Sequence, residues 1–539
     1  MPKNIVICSD GTGNTAVKGR GTNVFKLFEA VDLNSHRTNP SPNNPPQIAI
    51  YDDGVGTERF KLLKLMGGVA GWGLSTNVKQ LYKELARVYD PGDRIFLFGF
   101  SRGAFTVRTL AGMIVRCGIL NGLRLPTAQA LQQAVLDTYR AYRVRGGYDS
   151  YLTRLIGGVL GQRDPDRTLE TLHRDHELHP QGKIAFIGVW DTVDAVGMPV
   201  IGDWFNRWIY QFKFTSLTLS ENVEHACHAL AIDDERVSFT PVLWKLDSSK
   251  DAERIEQVWF AGAHSNVGGG YPKQGLSLVA LSWMLRRARR FGLRVQPFDV
   301  ELFEGHSSVN DQLYDPRAGI GVFYRWAPRD VDRLCKESGA PKIHLSVVER
   351  LAHGTDDYSP GNLPFNAEVV VTPADDPWAD AAAEIRAHAV QEVLRRVLCQ
   401  PRLLDQAKPA IAVGDASYWA FLLAWLVLLG GTVGAMAGNG GAVASVGSVV
   451  ESVGRVAVAL ATLQYSALAS AFCVLVDSWL RWVLVASIGL FAIAWTLSNT
   501  ADFRMSALFS GFWHRHQEEL RTALKDARGW AQAMIGDDR

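Results

Sequence analysis

The stretch "DRIFLFGFSRGAFTVR", Asp93 to Arg108, limits the possible folds of this chain more than any other. Ile95 to Phe100 is a continuous apolar run of strand length, the pattern of a strand buried on both faces. Gly99-Phe100-Ser101-Arg102-Gly103 then matches G-x-S-x-G, and Phe105, Val107, Leu110 and Met113 begin a mostly apolar helix. A strand that turns into a helix within two residues forces its corner residue into strained φ/ψ. Small residues two before and two after the corner let the helix pass close to the strand. A serine at such a corner is held out from the sheet, at the end of a helix whose first N–H groups favour anions. The other reading of the same five residues is a glycine-rich turn in an unrelated α/β protein.

Up to about residue 400 the chain alternates short apolar strands with amphipathic helices. Candidate strands are Asn4–Cys8, Gln47–Tyr51, Arg94–Phe100, Lys183–Trp190 and Glu256–Ala261; candidate helices are Thr76–Val88, Ala104–Cys117, Ala128–Val144, Glu221–Ile232 and Ser277–Phe291. This alternation predicts a mainly parallel sheet with helices on both faces, an α/β-hydrolase-like arrangement in which ligands bind at the carboxyl ends of the strands. Formal net charge is +1, which gives no electrostatic case for a nucleic-acid partner. The six cysteines show no C-x-x-C spacing, so neither a structural zinc site nor a disulfide framework is expected. The start, "MPKNIVICSDGTGN", runs straight into a strand with no secretory pattern, so synthesis in the cytoplasm without a cleaved signal peptide is expected.

Residues 411–501 differ in character. The runs 418–437, 456–476 and 482–501 carry no charge. Each is about 20 residues, the length that crosses a bilayer core, and aromatic residues such as Tyr418, Trp419, Trp482 and Trp495 suit an interfacial belt. The alternative is a set of buried helices in a large soluble domain. The expected division is therefore a catalytic domain at 1–400, a transmembrane helical region at 411–501 and an amphipathic tail at 502–539.

A serine hydroxyl needs a base within reach, and the base needs an orienting group. His264, in "VWFAGAHSNVGGGY", falls just past a strand and before a glycine run, and is the expected base. His225 and His228 lie on the expected helix 221–232 and read as packing or capping residues. Asp191 ends the apolar strand of "FIGVWDTVDAVG" and is the expected acid; Asp194, three residues on, is the alternative or a cap. Asp233 and Asp234 read as helix-end residues that pair with Arg236 or cap. An oxyanion hole needs backbone N–H groups; Arg102 supplies one, and Gly11 or Thr12, in the loop after the first strand, the other. Asp10 either holds that loop through its own backbone or, with Asp53 in "YDDGVGT", binds a metal; no H-x-H or H-E-x-x-H pattern accompanies them. The aromatic stretch 197–214 is a candidate lid or ordinary core.

Taken in order, "VICSDGTGN", "YDDGVGT", "PGDRIFLFGFSRGAFTVRTLAGMI", "FIGVWDTVDAVG", "HALAIDDERVSF", "VWFAGAHSNVGGGY" and "YSPGNLP" resemble an α/β-hydrolase family of bacteria and fungi that includes phospholipase effectors of the type VI secretion system. The resemblance covers about residues 1–370. It implies Ser101, Asp191 and His264 as nucleophile, acid and base, no metal or other cofactor, and membrane phospholipid as substrate. It also implies delivery to a target cell, with a secretion apparatus or an immunity protein as partner. Many relatives carry Asp where this chain has Asn266. Two other readings stay open from the residues: a membrane-tethered esterase or thioesterase acting on a soluble substrate, and a non-enzymatic membrane-inserting toxin or anchor.

Overall fold

The structure is a computed structural model. It describes residues 2–11, 21–39, 41, 44–54, 70–145, 165–179, 182–193, 217–318, 324–374, 377–398, 401–438 and 478–537. The middle apolar run 456–476, the candidate lid 197–214, Thr12 and Asp194 lie outside the described residues.

Ten strands are described: β1 Asn4–Ser9, β2 Gln47–Asp52, β3 Arg94–Phe100, β4 Ile119–Leu120, β5 Leu178–His179, β6 Ile184–Trp190, β7 Val223–Ala231, β8 Ile255–Phe260, β9 Lys342–His344 and β10 Glu368–Val370. Eight form one sheet in the order β10-β9-β8-β7-β6-β3-β1-β2, and every neighbouring pair is parallel. Parallel strands need crossovers, and the crossovers cover both faces.

Side chains alternate accordingly. Ile5, Ile7, Ile95, Leu97, Ile187 and Val189 face the helices Ala70–Val88, Arg102–Cys117 and Ala128–Arg145. Val6, Cys8, Phe96, Phe98, Phe100 and Trp190 face the helices Asn23–Ala30 and Gly275–Arg290. A register irregularity falls between β3 and β6. Ile95 pairs with Ile184 but Phe96 pairs with Phe186, which leaves Ala185 as the extra residue. A third apolar cluster, around Trp259 and Ile343, includes Trp513, Leu520 and Leu524 from the C-terminal helix.

The expected α/β architecture holds, with one correction inside it. Residues 221–232 are not a helix: Val223–Ala231 is β7, paired on one side with β6 and on the other with β8. Its Ala-rich sequence favours a helix locally, but propensity is a weak prior. A central parallel strand selects residues that bury on both faces, and Ala226, Cys227, Ala229 and Ala231 do so. Asp233 and Asp234 therefore follow a strand, not a helix.

The chain divides into two compact units, Met1–Leu404 with Phe509–Arg539, and Asp405–Leu508. In the second unit the helix Lys408–Gly438 runs antiparallel to the helical residues from Ser478 onward. Ser417 Oγ donates to Ala494 O at 2.7 Å, Phe421 meets Phe491 at 5.7 Å between ring centroids, and Gly431 abuts Val483. Among the described residues, two helices are long and apolar enough to cross a membrane, and both are mostly unburied. Trp419, Leu426, Trp482 and Trp495 are exposed.

Candidate active site

The corner at Ser101 is as tight as its sequence demands. Ser101 has φ 57° and ψ −121°, a conformation that few side chains tolerate, and the helix begins at the next residue. Its N–H donates to Trp190 O at 3.1 Å, which ties the corner to the end of β6. Both flanking glycines are required by space. A Cβ on Gly99 would lie 2.6 Å from Gly103 O, and one on Gly103 would lie 2.1 Å from Ser9 O. The second contact also fixes the loop after β1 against the corner. Arg102 opens the helix, so its N–H is one of the first-turn donors without an intrahelical acceptor.

The expected acid and base come together. Asp191 leaves β6 with φ 36° and is fully buried. Its N–H donates to Ala229 O at 2.8 Å, its Oδ1 accepts from Ala231 N–H at 3.1 Å, and its Oδ2 lies 2.6 Å from His264 Nδ1. With Nδ1–H directed at the carboxylate, Nε2 carries the lone pair. The imidazole packs on Phe100, the residue before Ser101, at 4.5 Å between centroids, and edge-on to Phe239 at 5.1 Å. Burial pushes the His264 pKa below its ordinary value, and the hydrogen bond it donates to Asp191 opposes this without cancelling it. His264 N–H donates to Asp234 Oδ2 at 3.1 Å, and Asp234 pairs with Arg236 at 2.6 Å, as expected from the sequence. Asn266 serves the turn: its Oδ1 accepts from Tyr314 N–H and its Nδ2 donates to Gln312 O.

The loop after β1 is held by its own aspartate. Asp10 Oδ1 accepts from Gly11 N–H at 2.6 Å; Oδ2 accepts from the Thr22 hydroxyl at 2.6 Å and the Tyr51 hydroxyl at 2.7 Å. Thr22 in turn bridges to Gly269 beyond His264. Asp53, at the end of β2, is exposed. Among the described residues, no group of three His, Cys, Asp or Glu side chains is placed to hold a metal.

Residues 3–287 match the family described as type VI secretion system phospholipase effector, Tle1-like, catalytic domain. The chain belongs to this Tle1-like family. It is 29% identical over 251 residues to an uncharacterized protein of Saccharomyces cerevisiae, a match over 44% of this chain and 32% of that protein. Among solved structures it is similar to a Tle1 effector bound to the VgrG spike of the type 6 secretion system, at 18% identity and TM-score 0.27 over 50% of this chain and 51% of that one. It is also similar to an uncharacterized protein from Pseudomonas aeruginosa, at 17% identity and TM-score 0.34 over 73% and 59% of the respective chains. The chain thus spans about a third of the curated relative and between half and three fifths of these structures.

The site contains a residue that nothing in the sequence pattern marks. Arg329 lies 138 positions from Asp191 and meets its carboxylate with two nitrogens, Nη1 to Oδ1 at 2.7 Å and Nη2 to Oδ2 at 2.9 Å. Burial alone would protonate Asp191, but the Arg329 guanidinium and the His264 hydrogen bond hold it well below the usual carboxylate range. Nothing in "RWAPRDVDR" marks this arginine, because no local spacing encodes a pairing across so much chain. His228, placed by the sequence on a helix, is a buried strand residue whose Nε2 accepts from Thr192 N–H at 3.1 Å; burial lowers its pKa to about 3. His225 stacks on Phe291 at 3.5 Å. Both have the packing roles expected of them, on a different element.

Proposed function

We propose that this Tle1-like domain is a serine hydrolase of lipid esters, a phospholipase, with Ser101 as nucleophile, His264 as base and Asp191 as the acid that orients it. The observation that carries the reading is the 2.6 Å contact between Asp191 and His264, on an imidazole packed against the residue before a strained serine. His264 Nε2 takes the proton as Ser101 Oγ attacks the ester carbonyl. Arg102 N–H and, in place of the expected Gly11 N–H, which is taken by Asp10 Oδ1, the N–H of Thr12 hold the tetrahedral oxyanion. The alcohol leaves with the proton from His264, and water, activated by the same base, releases the acyl group.

Two features favour a phospholipid over a soluble ester. Arg102 follows Ser101 directly and its guanidinium has Tyr324 as a near neighbour, so a cation suited to a phosphate stands one residue from the nucleophile. The apolar helices of the second unit would hold the enzyme at its substrate's surface, through 418–437 and 482–501 among the described residues. The family assignment supports delivery to a target cell by a type VI apparatus after synthesis in the bacterial cytoplasm.

The test is fatty-acid release from phospholipid vesicles and from a short water-soluble ester, by the full chain and by Ser101→Ala. Faster release from vesicles, abolished in the variant, is expected. Preference for the soluble ester would replace the phospholipase with a tethered esterase. Release that survives in Ser101→Ala would end the serine mechanism, and a biological effect that survives there would favour the non-enzymatic membrane-inserting reading.

A further inference from the structure

Asp191 has two opposing tasks. It must stay ionised while fully buried, and it must leave enough charge to orient His264. Arg329 meets the first need with a two-pronged contact on both carboxylate oxygens, the strongest geometry available to such a pair. The guanidinium is itself buried, and its two terminal nitrogens also donate to Ala231 O and Phe239 O. Phe239 in turn packs edge-on against His264. Four hydrogen bonds thus fix Arg329 between β7 and the ring that walls the base, so the ion pair is a constructed part of the site. Arg329 lies beyond residues 3–287, the part of the chain matched to the catalytic domain.

We infer that Arg329 is a positioning residue for the proposed hydrolysis: it fixes Asp191 and, by sharing that carboxylate's charge, sets the lowest pH at which His264 works as a base. The inference rests on the serine-hydrolase reading above. Its physics is a charge count. Neutral His264, Asp191⁻ and Arg329⁺ together carry no net charge, so a proton on His264 leaves the buried group at +1. Without Arg329, protonation would instead make His264 and Asp191 a neutral pair, and the imidazolium would be favoured. The other charges facing this group nearly balance. Asp234 borders both His264 and Arg329 but is paired with Arg236. Asp233 faces Arg329 and accepts from Gly262 N–H and the Tyr358 hydroxyl. His228, against Arg108, stays neutral behind Thr192.

The experiment is the pH profile of kcat/KM on a short water-soluble ester, for the full chain, Arg329→Lys and Arg329→Met, with melting temperature as the folding check. The acid limb is expected to rise by about one pH unit in Arg329→Met and by less in Arg329→Lys. The plateau should fall about ten- to hundredfold as Asp191 loses its register. A limb that stays put, or moves down, while the rate falls at every pH would overturn the inference and leave Arg329 a scaffold residue. If neither variant folds, Arg329→Gln replaces them, and the His264 imidazole is titrated by NMR in the Ser101→Ala chain with and without that change: a higher pKa without the guanidinium supports the inference, and an unchanged or lower one overturns it. A wild type that hydrolyses no ester would strike the proposed function instead, and the same titration would still decide on Arg329.

Discussion

Two aspartates leave neighbouring parts of one sheet in similar sequence settings and end in opposite environments. Asp10 follows β1 and Asp191 follows β6; each ends a buried apolar strand. Around Asp10 the hydrogen-bond donors include the Thr22 and Tyr51 hydroxyls and the Gly11 amide, with the Lys26 ammonium near enough to act on it electrostatically. These donors hold a carboxylate still and lock its loop. Around Asp191, besides the Ala231 amide, the partners are an imidazole and a guanidinium in direct contact. Those groups exchange or share charge. The motif "apolar strand, then Asp" therefore fixes where a carboxylate emerges and says nothing about its chemistry. The groups brought from elsewhere in the chain decide that.

The largest test of this contrast is at the β6–β8 end. Ser101→Ala is expected to lower kcat by about 10⁴- to 10⁶-fold with little change in melting temperature. Asp191→Asn should cost about 10³- to 10⁴-fold in kcat and also about 3–5 kcal/mol of stability, because it leaves Arg329 buried without its counter-charge. An Asp191→Asn chain that melts like wild type would mean that the guanidinium is not confined there.

Next comes Asp233, whose pKa burial raises to about 6 against the donors Gly262 N–H and Tyr358. A carboxyl group raised on folding contributes stability below its unfolded pKa of about 3.9 and loses that contribution as pH rises through its folded value. Wild type should therefore lose roughly 3 kcal/mol relative to Asp233→Asn between about pH 4 and pH 6. Denaturant titrations across that window check it, and a constant gap between the two proteins would count against it.

The β1–β2 end should respond less. Asp10→Asn keeps one acceptor but sets an amide N–H₂ against other donors, for an expected loss of about 1–3 kcal/mol. Its kcat should fall far less than that of Asp191→Asn. Equal losses of kcat at both positions would break the comparison. Smallest of all is Asp53→Asn, an exposed strand-end change expected within about 0.5 kcal/mol, with hydrolysis unaltered and no new dependence on divalent metal. A metal-dependent loss there would revive the metal-assisted reading of the two acidic loops.

The features legible in the sequence were those a short window can encode. Gly99 and Gly103 around Ser101 announced a strand-to-helix corner, because only small residues fit within 3 Å of the backbone that crosses there. Apolar runs ending at Trp190 and near Phe260 put Asp191 and His264 at the same edge of a parallel sheet. The uncharged runs at 418–437 and 482–501 are helical and largely unburied, as their composition implied. Tertiary structure decided the rest. β7 became a strand against its Ala-rich propensity, because both neighbouring strands offered it hydrogen bonds and its small side chains fit between two packed faces. The Gly11 N–H went to Asp10, a choice set by where Thr22 and Tyr51 stood on the same carboxylate. Arg329 reached Asp191 across 138 residues. Backbone geometry repeats with a local period and can be read from neighbours in sequence. Charge pairing depends on neighbours in space, and only the folded chain determines those.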